Sequence, residues 1–392
     1  MNKVVIVSAK RTPIGSFMGG LSTIPATELG SHAIRAALES IQLAPEEVDE
    51  VFMGHVLQAG TGQAPARQAA LGAGIPEDVP CTTVNKVCAS GMKSLTLAIQ
   101  AVALGDAEVI VAGGMENMSL SPHLSSLRRG HKFGNTTFKD TIQIDGLMDA
   151  YDQVAMGVFA DATAEKHQIS RVEQDDFAIQ SYQRSTDAWK QGDFDNEVTP
   201  ISVSQRKGDP IIISEDEEFK NIFIDKITKL RPAFSKEGTA TAANSSTIND
   251  GAAALIVMSE TKAKILGIKP MAYVLSYADA AQEPKWFTTS PAKVLPVALK
   301  KASLKISEID LFELNEAFSV VGLANIKLLN LDPNKLNING GAVSLGHPIG
   351  CSGARIAVTL LHTLQKQQKK YGAAAICNGG GGATAIILRN NL

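Results

Sequence analysis

Residues 81–105 of the chain read CTTVNKVCASGMKSLTLAIQAVALG. The first four residues, CTTV, predict a short strand, and residues 88–104 predict a helix that is apolar nearly all round and therefore buried. Residues 107–114, AEVIVAGG, predict another strand, which ends in glycines. A strand, a buried helix and a second strand in succession indicate a layered α/β fold. Cys88 lies where the first strand becomes the helix.

The same alternation extends outward from this stretch. Strands are predicted at 4–9, 48–56, 252–258 and 271–280, and helices at 27–41 and after Ser290-Pro291. In the second helix we expect Ser290 to be the N-cap and proline to hold the first position. The order of elements therefore predicts an α/β architecture on both sides of a central excursion.

The excursion covers residues 119–249, which are more polar than the rest and contain a basic turn and an acidic run. Within it, Ser170 and Glu173 form an S-x-x-E capping box that predicts the start of a helix, and Gly192 is expected to end that helix. We expect 119–249 to be a lid or loop domain.

The two ends of the chain resemble each other weakly. EEVDEVFMG (46–54) is similar to SEIDLFELN (307–315), and VCASGMKSLTLAIQ (87–100) is similar to GCSGARIAVTLLHT (350–363). Such a repeat predicts two similar α/β halves whose corresponding turns lie on facing edges. Reactive residues of both halves could converge there.

The bulk properties exclude several classes of protein. With 392 residues and a formal net charge of −3, the chain is not suited to general binding of nucleic acid or acidic membranes. Its four cysteines make no disulfide framework and no C-x-x-C pair, so we expect no metal site. The first apolar run is typical of a strand and not of a signal peptide, and no apolar run approaches a membrane span. We expect a cytoplasmic enzyme without nucleic-acid or membrane partners.

Cys88 has two interpretations. At the start of a helix, the positive end of the dipole would lower the pKa of its thiol from about 8.5 toward neutrality, and the thiolate is the nucleophilic form. Alternatively, it is a small apolar residue that fills a tight turn, since buried cysteines are common. The segment alone leaves both interpretations open.

Three further residues lie at turns bounded by glycine or between predicted elements. His347, in GHPIG, could take a proton from a thiol, or could be a turn histidine that bonds a local carbonyl. Cys377 ends a predicted strand and precedes Asn378 and four glycines, which favours acid–base work beside free backbone N–H groups. Asn315, in NEAF, could orient a water or donate to an oxyanion, or could simply cap a helix.

Taken together, these motifs resemble those of the thiolase family, and of its acetyl-CoA acetyltransferase branch in particular. The resemblance covers essentially the whole chain and rests on NKVCASG, AGGMENMS, NEAF, GGAVSLGHPIGCSGAR and CNGGGG, in that order and spacing. It implies the thiolase fold: two similar α/β halves packed as a layered αβαβα core, with an inserted loop domain. The implied domains are 1–268, which includes the loop domain 119–249, and 269–392.

The resemblance also implies a two-step reaction. Cys88 attacks the thioester of one acyl-CoA while His347 takes its proton, and Cys377 removes a proton from the methyl carbon of a second acetyl-CoA. The enolate then attacks the acyl-cysteine, with donors supplied by His347 and by a water that Asn315 holds. The backbone N–H groups of Cys88 and Gly379 would stabilise the tetrahedral oxyanion. The expected activity is that of an acetyl-CoA C-acetyltransferase, and the alternative is a broader-range 3-ketoacyl-CoA thiolase.

Four positions match substrate contacts of the family: Ser246 for the pantetheine arm, and Met156, Phe234 and Phe318 for the acyl pocket. Ala155 stands where several short-chain thiolases carry histidine, and the usual contacts to the nucleotide end of CoA have no clear counterparts in EEFKNIFIDK. The family implies no cofactor, because coenzyme A thioesters are substrates, and a homotetramer assembled through the loop domain.

Two rival interpretations are weaker. Ketoacyl-ACP synthases share the fold and a cysteine nucleophile but lack a second catalytic cysteine before glycine, whereas this chain has Cys377. Non-catalytic lipid carriers of the same fold tend to lose the nucleophile or the histidine of GHP, and both Cys88 and His347 are present.

Overall fold

A computed structural model describes residues 2–392 of the chain. The strands are β1 (Val4–Arg11), β2 (Gly15–Ser16), β3 (Glu50–Gly54), β4 (Cys81–Val84), β5 (Val109–Asn117), β6 (His123–Leu124), β7 (Lys139–Asp140), β8 (Ile201–Val203), β9 (Ile211–Ile213), β10 (Asn249–Ser259), β11 (Ala272–Ala281), β12 (Leu311–Leu314), β13 (Tyr371–Asn378) and β14 (Gly382–Asn390). The α-helices are α1 (Ala26–Glu39), α2 (Pro65–Gly72), α3 (Ser90–Leu104), α4 (Met156–His167), α5 (Arg171–Lys190), α6 (Glu260–Ile265), α7 (Pro291–Ala302), α8 (Ser319–Leu329), α9 (Ala342–Leu345) and α10 (Ile349–Lys366).

The main sheet has the strand order β12-β13-β14-β11-β1-β10-β5-β3-β4, with β2 on β10. Its two halves meet where β1 and β11 pair at only two positions, Val5 with Tyr273 and Ile6 with Ala272. From this seam outward each half repeats the same pairing. Two antiparallel ladders come first, and a parallel pair follows, which is β5 with β3 on one side and β13 with β12 on the other. The topology therefore contains the internal repeat that the sequence predicts.

Alternate side chains of the strands face different layers, as the period of two requires. Ile110 of β5 belongs to a core that also contains Leu95 of α3 and Leu360 of α10, whereas the neighbouring Val111 packs with α1 and α2 on the outer face. The other half buries its outer face, including Ile387 of β14, against α7 and α8. The result is the expected αβαβα arrangement, with α3 and α10 together in the middle layer.

The middle-layer position explains the composition of α3. The segment Val87–Leu104 has a mean hydropathy of 1.4 and is long and apolar enough to cross a membrane, so the prediction that no apolar run approaches a span is wrong by this criterion. In the fold it packs against strands and against α10, and 61% of it is buried. A helix that is covered on most sides needs apolar residues around most of its circumference.

Helix starts show where local signals decide the structure and where they do not. The capping box is confirmed: Glu173 N–H donates to Ser170 Oγ over 3.2 Å and Ser170 N–H donates to Glu173 Oε2 over 2.6 Å. Ser290 is the N-cap residue of α7 and Pro291 holds its first position, as predicted, but the Ser290 hydroxyl makes no cap hydrogen bond and donates instead to Gly381 O over 2.7 Å. The tertiary contact has replaced the local cap.

A buried charge network attaches the excursion 119–249 to the sheet. Arg11, on β1, is fully buried and binds Asp216 with two nitrogens, at 2.7 and 3.0 Å, and Glu197 with Nε at 2.6 Å. These paired carboxylates raise the pKa of Arg11 against the desolvation that burial causes. The domain boundary at 268/269 falls between α6 and β11 and stays a prediction.

Candidate active site

Cys88 lies in the turn between β4 and α3, two residues before the first residue of the helix. The prediction that the helix begins at Cys88 is therefore wrong by two residues. The N-cap is Ala89, and the turn before it includes Val87, whose φ of 48° lies in the left-handed region that a β-branched residue rarely adopts. Ser90 holds this strained turn, since its hydroxyl donates to Val87 O over 2.6 Å and accepts from Lys86 N–H over 2.8 Å.

The pKa of the Cys88 thiol is raised to about 11, opposite to the predicted lowering. Burial is the largest cause, and the nearby Glu116 carboxylate adds to it. Hydrogen bonding from the backbone N–H groups of Gly379 and of Cys88 itself works in the other direction but is smaller. Desolvation outweighs the helix dipole because the sulfur sits inside the fold. The thiol is thus protonated at rest and needs a base to become a nucleophile.

His347 is held in a single orientation. Its N–H donates to Asn249 Oδ1 over 2.8 Å, and its ring Nδ1 lies 2.6 Å from Ser352 Oγ. The Ser352 hydroxyl donates its only hydrogen to Pro348 O over 2.9 Å, so it accepts from Nδ1–H. The ring nitrogen Nε2 therefore carries the lone pair. The alternative of a turn histidine that bonds a local carbonyl is wrong, because the ring partner is a hydroxyl.

The electrostatic setting keeps this imidazole neutral. Burial, and after it the charge of Arg355, lowers the pKa of His347 to about 3. At neutral pH the ring is therefore a proton acceptor at Nε2. Since His347 and Cys88 line the same pocket, the structure brings an un-ionised thiol and a free base to one place.

Asn315 follows β12 and continues its pairing, with its N–H donating to Ala375 O over 3.1 Å. The helix-capping alternative is wrong, because α8 begins four residues later and its N-cap is Phe318. The side-chain Nδ2 of Asn315 instead lies 3.4 Å from His347 Nε2, and both residues are buried. The amide therefore points at the atom that would handle the proton.

Cys377 is the penultimate residue of β13 and is 1% exposed. Burial raises the pKa of its thiol, and the closeness of Cys88 raises it further. The glycine run that follows makes the turn into β14, where Gly380 and Gly381 have φ of 82° and 86°. This turn places Gly379 on the pocket wall, where its N–H reaches the Cys88 sulfur.

The pocket itself has a volume of about 240 Å³. Its wall includes Cys88, His347 and Gly379 together with all four predicted substrate contacts, Ser246, Met156, Phe234 and Phe318. Asn315 and Cys377 adjoin this wall through His347 and Cys88 respectively. The structure thus brings together all the predicted catalytic and substrate-contact residues.

Aromatic packing shapes one side of the pocket. Phe318 meets Phe234 and Phe287 edge-on, with ring centroids 5.8 and 6.4 Å apart. Gly157, at the start of α4, lies against Phe234 so closely that a side chain there would collide with the ring. The Ser246 hydroxyl donates to Ala317 O over 2.9 Å, which leaves its lone pairs free to accept.

Sequence reasoning missed a second group of wall residues: Met118, Gln143, Gly146, Leu147, Met148, Thr247, Ile248, Phe287 and Ile349. Gln143 to Leu147 belong to a π-helical segment, Ile142–Leu147, inside the excursion. Such single π-turns are frequent at functional sites, but no motif in the sequence marks this one. Only Thr247 and Ile248 could have been predicted as wall residues, because they directly follow Ser246 in the sequence.

Comparison with known proteins gives a consistent picture. The thiolase N-terminal domain model matches residues 4–261, and the thiolase C-terminal domain model matches residues 268–390. A Dictyostelium discoideum protein named probable acetyl-CoA acetyltransferase is 53% identical over 99% of this chain and 94% of its own. The mitochondrial acetyl-CoA acetyltransferase of Bos taurus is 54% identical over 95% of this chain and 88% of its own.

A solved structure is similar over the whole length. The Acat5 thiolase of Ascaris suum, crystallised in complex with coenzyme A, superposes with a TM-score of 0.94 at 44% identity and covers 99% of this chain and 100% of its own. Family models, relatives and fold agree from one end of the chain to the other. The chain therefore belongs to the thiolase family of acyltransferase enzymes.

Proposed function

We propose that this chain is an acetyl-CoA C-acetyltransferase, which joins two acetyl-CoA into acetoacetyl-CoA and CoA and also runs the reverse thiolysis through an acetyl group on Cys88. The observation that carries the proposal is the site itself: an un-ionised thiol, a neutral imidazole and a second thiol around one small pocket. Relatives named acetyl-CoA acetyltransferase, at 53 and 54% identity, support the choice of substrate.

In the first half-reaction the Cys88 proton passes to His347 Nε2 as the sulfur attacks the thioester carbonyl. The oxyanion lies between the N–H groups of Cys88 and Gly379, which already point at the sulfur. One such donor is worth about 2.7–4 kcal/mol of barrier. As the C–S bond to CoA breaks, the imidazolium returns its proton to the departing CoA sulfur, and His347 is again neutral.

In the second half-reaction the Cys377 thiol gives its proton to His347 Nε2, and the resulting thiolate takes a proton from the methyl carbon of a second acetyl-CoA. The His347 imidazolium and a water held by Asn315 donate to the enolate oxygen. The enolate attacks the acetyl carbonyl on Cys88, and Cys88 leaves as a thiolate once the carbon–carbon bond has formed. The imidazolium then gives its proton to this thiolate, so that both cysteines are thiols again and His347 is neutral.

The wall of the pocket suits a short acyl chain on a pantetheine arm. Met156, Phe234 and Phe318 supply apolar surface around a volume of about 240 Å³, and Ser246 has lone pairs for an amide N–H of the arm. We infer from this volume that acetyl and acetoacetyl groups are preferred over long acyl chains. A broad-range 3-ketoacyl-CoA thiolase would instead cleave long-chain substrates at comparable rates, which a chain-length series measures directly.

The decisive experiment is the intact mass of the protein after brief incubation with acetyl-CoA, followed by peptide mapping. We expect a single acetyl group on the Cys88 peptide, and none in Cys88→Ser. Cys81→Ser is a matched control, since Cys81 is also half-buried but lies outside the pocket, and it should acetylate normally. An acetyl group on another residue, or unchanged acetylation of Cys88→Ser, would refute the proposal.

The proposal includes a homotetramer. Large apolar side chains stand exposed in the first part of the excursion, with exposed fractions of 96% for Phe133, 63% for Phe138 and 74% for Tyr151. Because exposed apolar patches mark surfaces that other chains cover, these side chains are the residues we assign to the contact between subunits. Light scattering of the purified protein tests the assembly, and a monomer at micromolar concentration would contradict it.

We also propose a cytoplasmic location. All four cysteines are free, including both thiols of the site, which suits a reducing compartment. Fractionation of cells that carry the tagged full chain, with compartment markers, tests this part independently of activity.

A further inference from the structure

Arg355 and Glu313 form a buried pair of a guanidinium and a carboxyl group that has no part in the proposed reaction. Arg355, on α10, is 1% exposed, and Glu313, on β12, is 2% exposed. Arg355 Nη1 and Glu313 Oε2 are 3.7 Å apart, which is beyond hydrogen-bond distance. Within residues 2–392, none of the three guanidinium nitrogens has a hydrogen-bond partner. A charge buried in this way costs free energy that an apolar pair of the same volume would not, so stability alone does not explain it.

The pair adjoins the residues that contact the ring of His347. Glu313 precedes Asn315 by two residues on an extended segment, so the two side chains point to the same side. Arg355 follows Ser352 by three residues on α10, which is one turn along the same face. Ser352 and Asn315 are the residues that contact the two ring nitrogens of His347. Arg355 and Glu313 are therefore neighbours of the two residues that hold the imidazole.

The two other carboxyl groups that act on Glu313 already have partners. Glu316 accepts from Ser181 Oγ, Asn337 Nδ2 and Val343 N–H at 2.7, 2.7 and 3.2 Å. Glu197, with Arg11 at 2.6 Å and Thr359 at 3.1 Å, is likewise compensated. Glu313 is left as the carboxyl that faces Arg355 without a hydrogen bond to Oε2, and the Arg184 guanidinium of α5 influences it more weakly.

Burial raises the pKa of Glu313 to about 8, although Arg355 opposes the shift and Glu316 and Glu197 add to it. At neutral pH the carboxyl is therefore mostly protonated, and the positive charge of Arg355 is not offset. That charge is the second cause, after burial, of the low pKa of His347. It also acts on the neighbouring buried thiol of Cys351.

We propose that Arg355, held beside Glu313, is a positioning residue that acts through His347: it makes the imidazole a weaker base and, once protonated, a stronger acid. The inference rests on the proposed function, in which His347 takes the Cys88 proton and then returns it to CoA. A weaker base slows ionisation of Cys88, but a stronger acid speeds release of CoA. Arg355 thus shifts the balance from forming the nucleophile toward expelling the leaving group.

The test separates these two effects with Arg355→Met, which removes the charge and keeps an unbranched stem. Alkylation of Cys88 by iodoacetamide, located by peptide mapping, reports nucleophile formation without any acyl-CoA. We expect alkylation at pH 7 to become about tenfold faster, the effect of roughly one pKa unit at the base. Steady-state condensation of acetyl-CoA should become about tenfold slower in the same variant. A purely structural role would slow both reactions, and that result, or unchanged alkylation, would overturn the proposal.

Arg184→Met is the matched control, since it removes an arginine that influences Glu313 but not His347, and it should leave alkylation of Cys88 unchanged. Glu313→Gln covers the case in which Arg355→Met does not fold. Between pH 7 and 9 the Glu313 carboxyl of the wild type ionises and offsets the charge of Arg355. The ratio of the Cys88 alkylation rate in the wild type to that in Glu313→Gln should therefore rise over this interval. A constant ratio would overturn the proposal. Failure of wild-type Cys88 to acetylate would refute the proposed function alone, because alkylation needs no acetyl-CoA.

Discussion

Removal of a single hydroxyl, in Ser352→Ala, should disable the base without touching the nucleophile. The Ser352 hydroxyl accepts from His347 Nδ1–H over 2.6 Å, and this contact is what leaves the lone pair on Nε2. Alanine leaves a buried N–H without a partner, at a cost of about 1–3 kcal/mol. The ring can escape that cost by moving its proton to Nε2, and in that tautomer it no longer accepts from Cys88.

The expected loss of acetylation rate follows from the same range of free energy. If the productive tautomer is penalised by about 1–3 kcal/mol, the rate of acetylation should fall about five- to 150-fold. The assay is single-turnover acetylation of Cys88 followed by intact mass, which isolates the first half-reaction from proton abstraction by Cys377. Thermal unfolding of the same sample shows whether the variant is folded.

Ser31→Ala provides the matched control. Ser31 is also a buried helical serine whose hydroxyl donates to the carbonyl four residues earlier, Thr27 O, over 2.9 Å, but it lies on α1. We expect its loss to lower stability and to leave acetylation at the wild-type rate. If folded Ser352→Ala acetylates as fast as the wild type, the assignment of the lone pair to Nε2 is refuted.

Three further outcomes are expected. Cys377→Ser should still acetylate Cys88 but should neither condense two acetyl-CoA nor exchange the acetyl methyl protons with deuterated water; retention of exchange, seen by NMR, would assign the abstraction to another group. Asp250→Asn should gain stability relative to the wild type as pH rises from about 4 to 6 in thermal melts, because burial raises the pKa of Asp250 to about 6 and the unfolded carboxylate ionises first; an unchanged difference in melting temperature would contradict this. Arg11→Met should cost about 3–5 kcal/mol in urea unfolding, since it leaves buried carboxylates such as Asp216 unpaired; a loss below about 1 kcal/mol would show that the network is not structural.

The elements that could be predicted are those whose signals are local. The strand CTTV coincides with β4, and the capping box starts α5 at the expected residue, because both depend on side chains within four positions of one another. The convergence of Cys88, His347 and Cys377 was also accessible, since each lies at a turn of one of two similar halves.

What could not be predicted depends on packing. The turn that carries Cys88 holds Val87 at a φ of 48°, yet valine is a residue type that argues against such a conformation. The pKa of Cys88 has the opposite direction to the one expected, because desolvation is a property of the folded surroundings and not of the helix start. The π-helical segment Ile142–Leu147 contributes to the pocket from a stretch that carries no recognisable motif.

The repeat of the sheet has a consequence for how the reaction is divided between the halves. Cys88 and Cys351 hold corresponding places near the starts of α3 and α10, and 26 residues after them come Gly114 and Cys377, each on a strand. Cys351 is 1% exposed and burial raises the pKa of its thiol to about 12, so we expect it to carry no acyl group. At Gly114 a side chain would collide with the Gly350 carbonyl, so no thiol fits there.

In the proposed reaction each half therefore contributes one thiol, and the two are at non-equivalent positions of the repeat. Because a condensation needs an electrophile and a nucleophile that differ, two identical halves would not provide both. Exchange of one half for a copy of the other should therefore yield a folded sheet without a reaction.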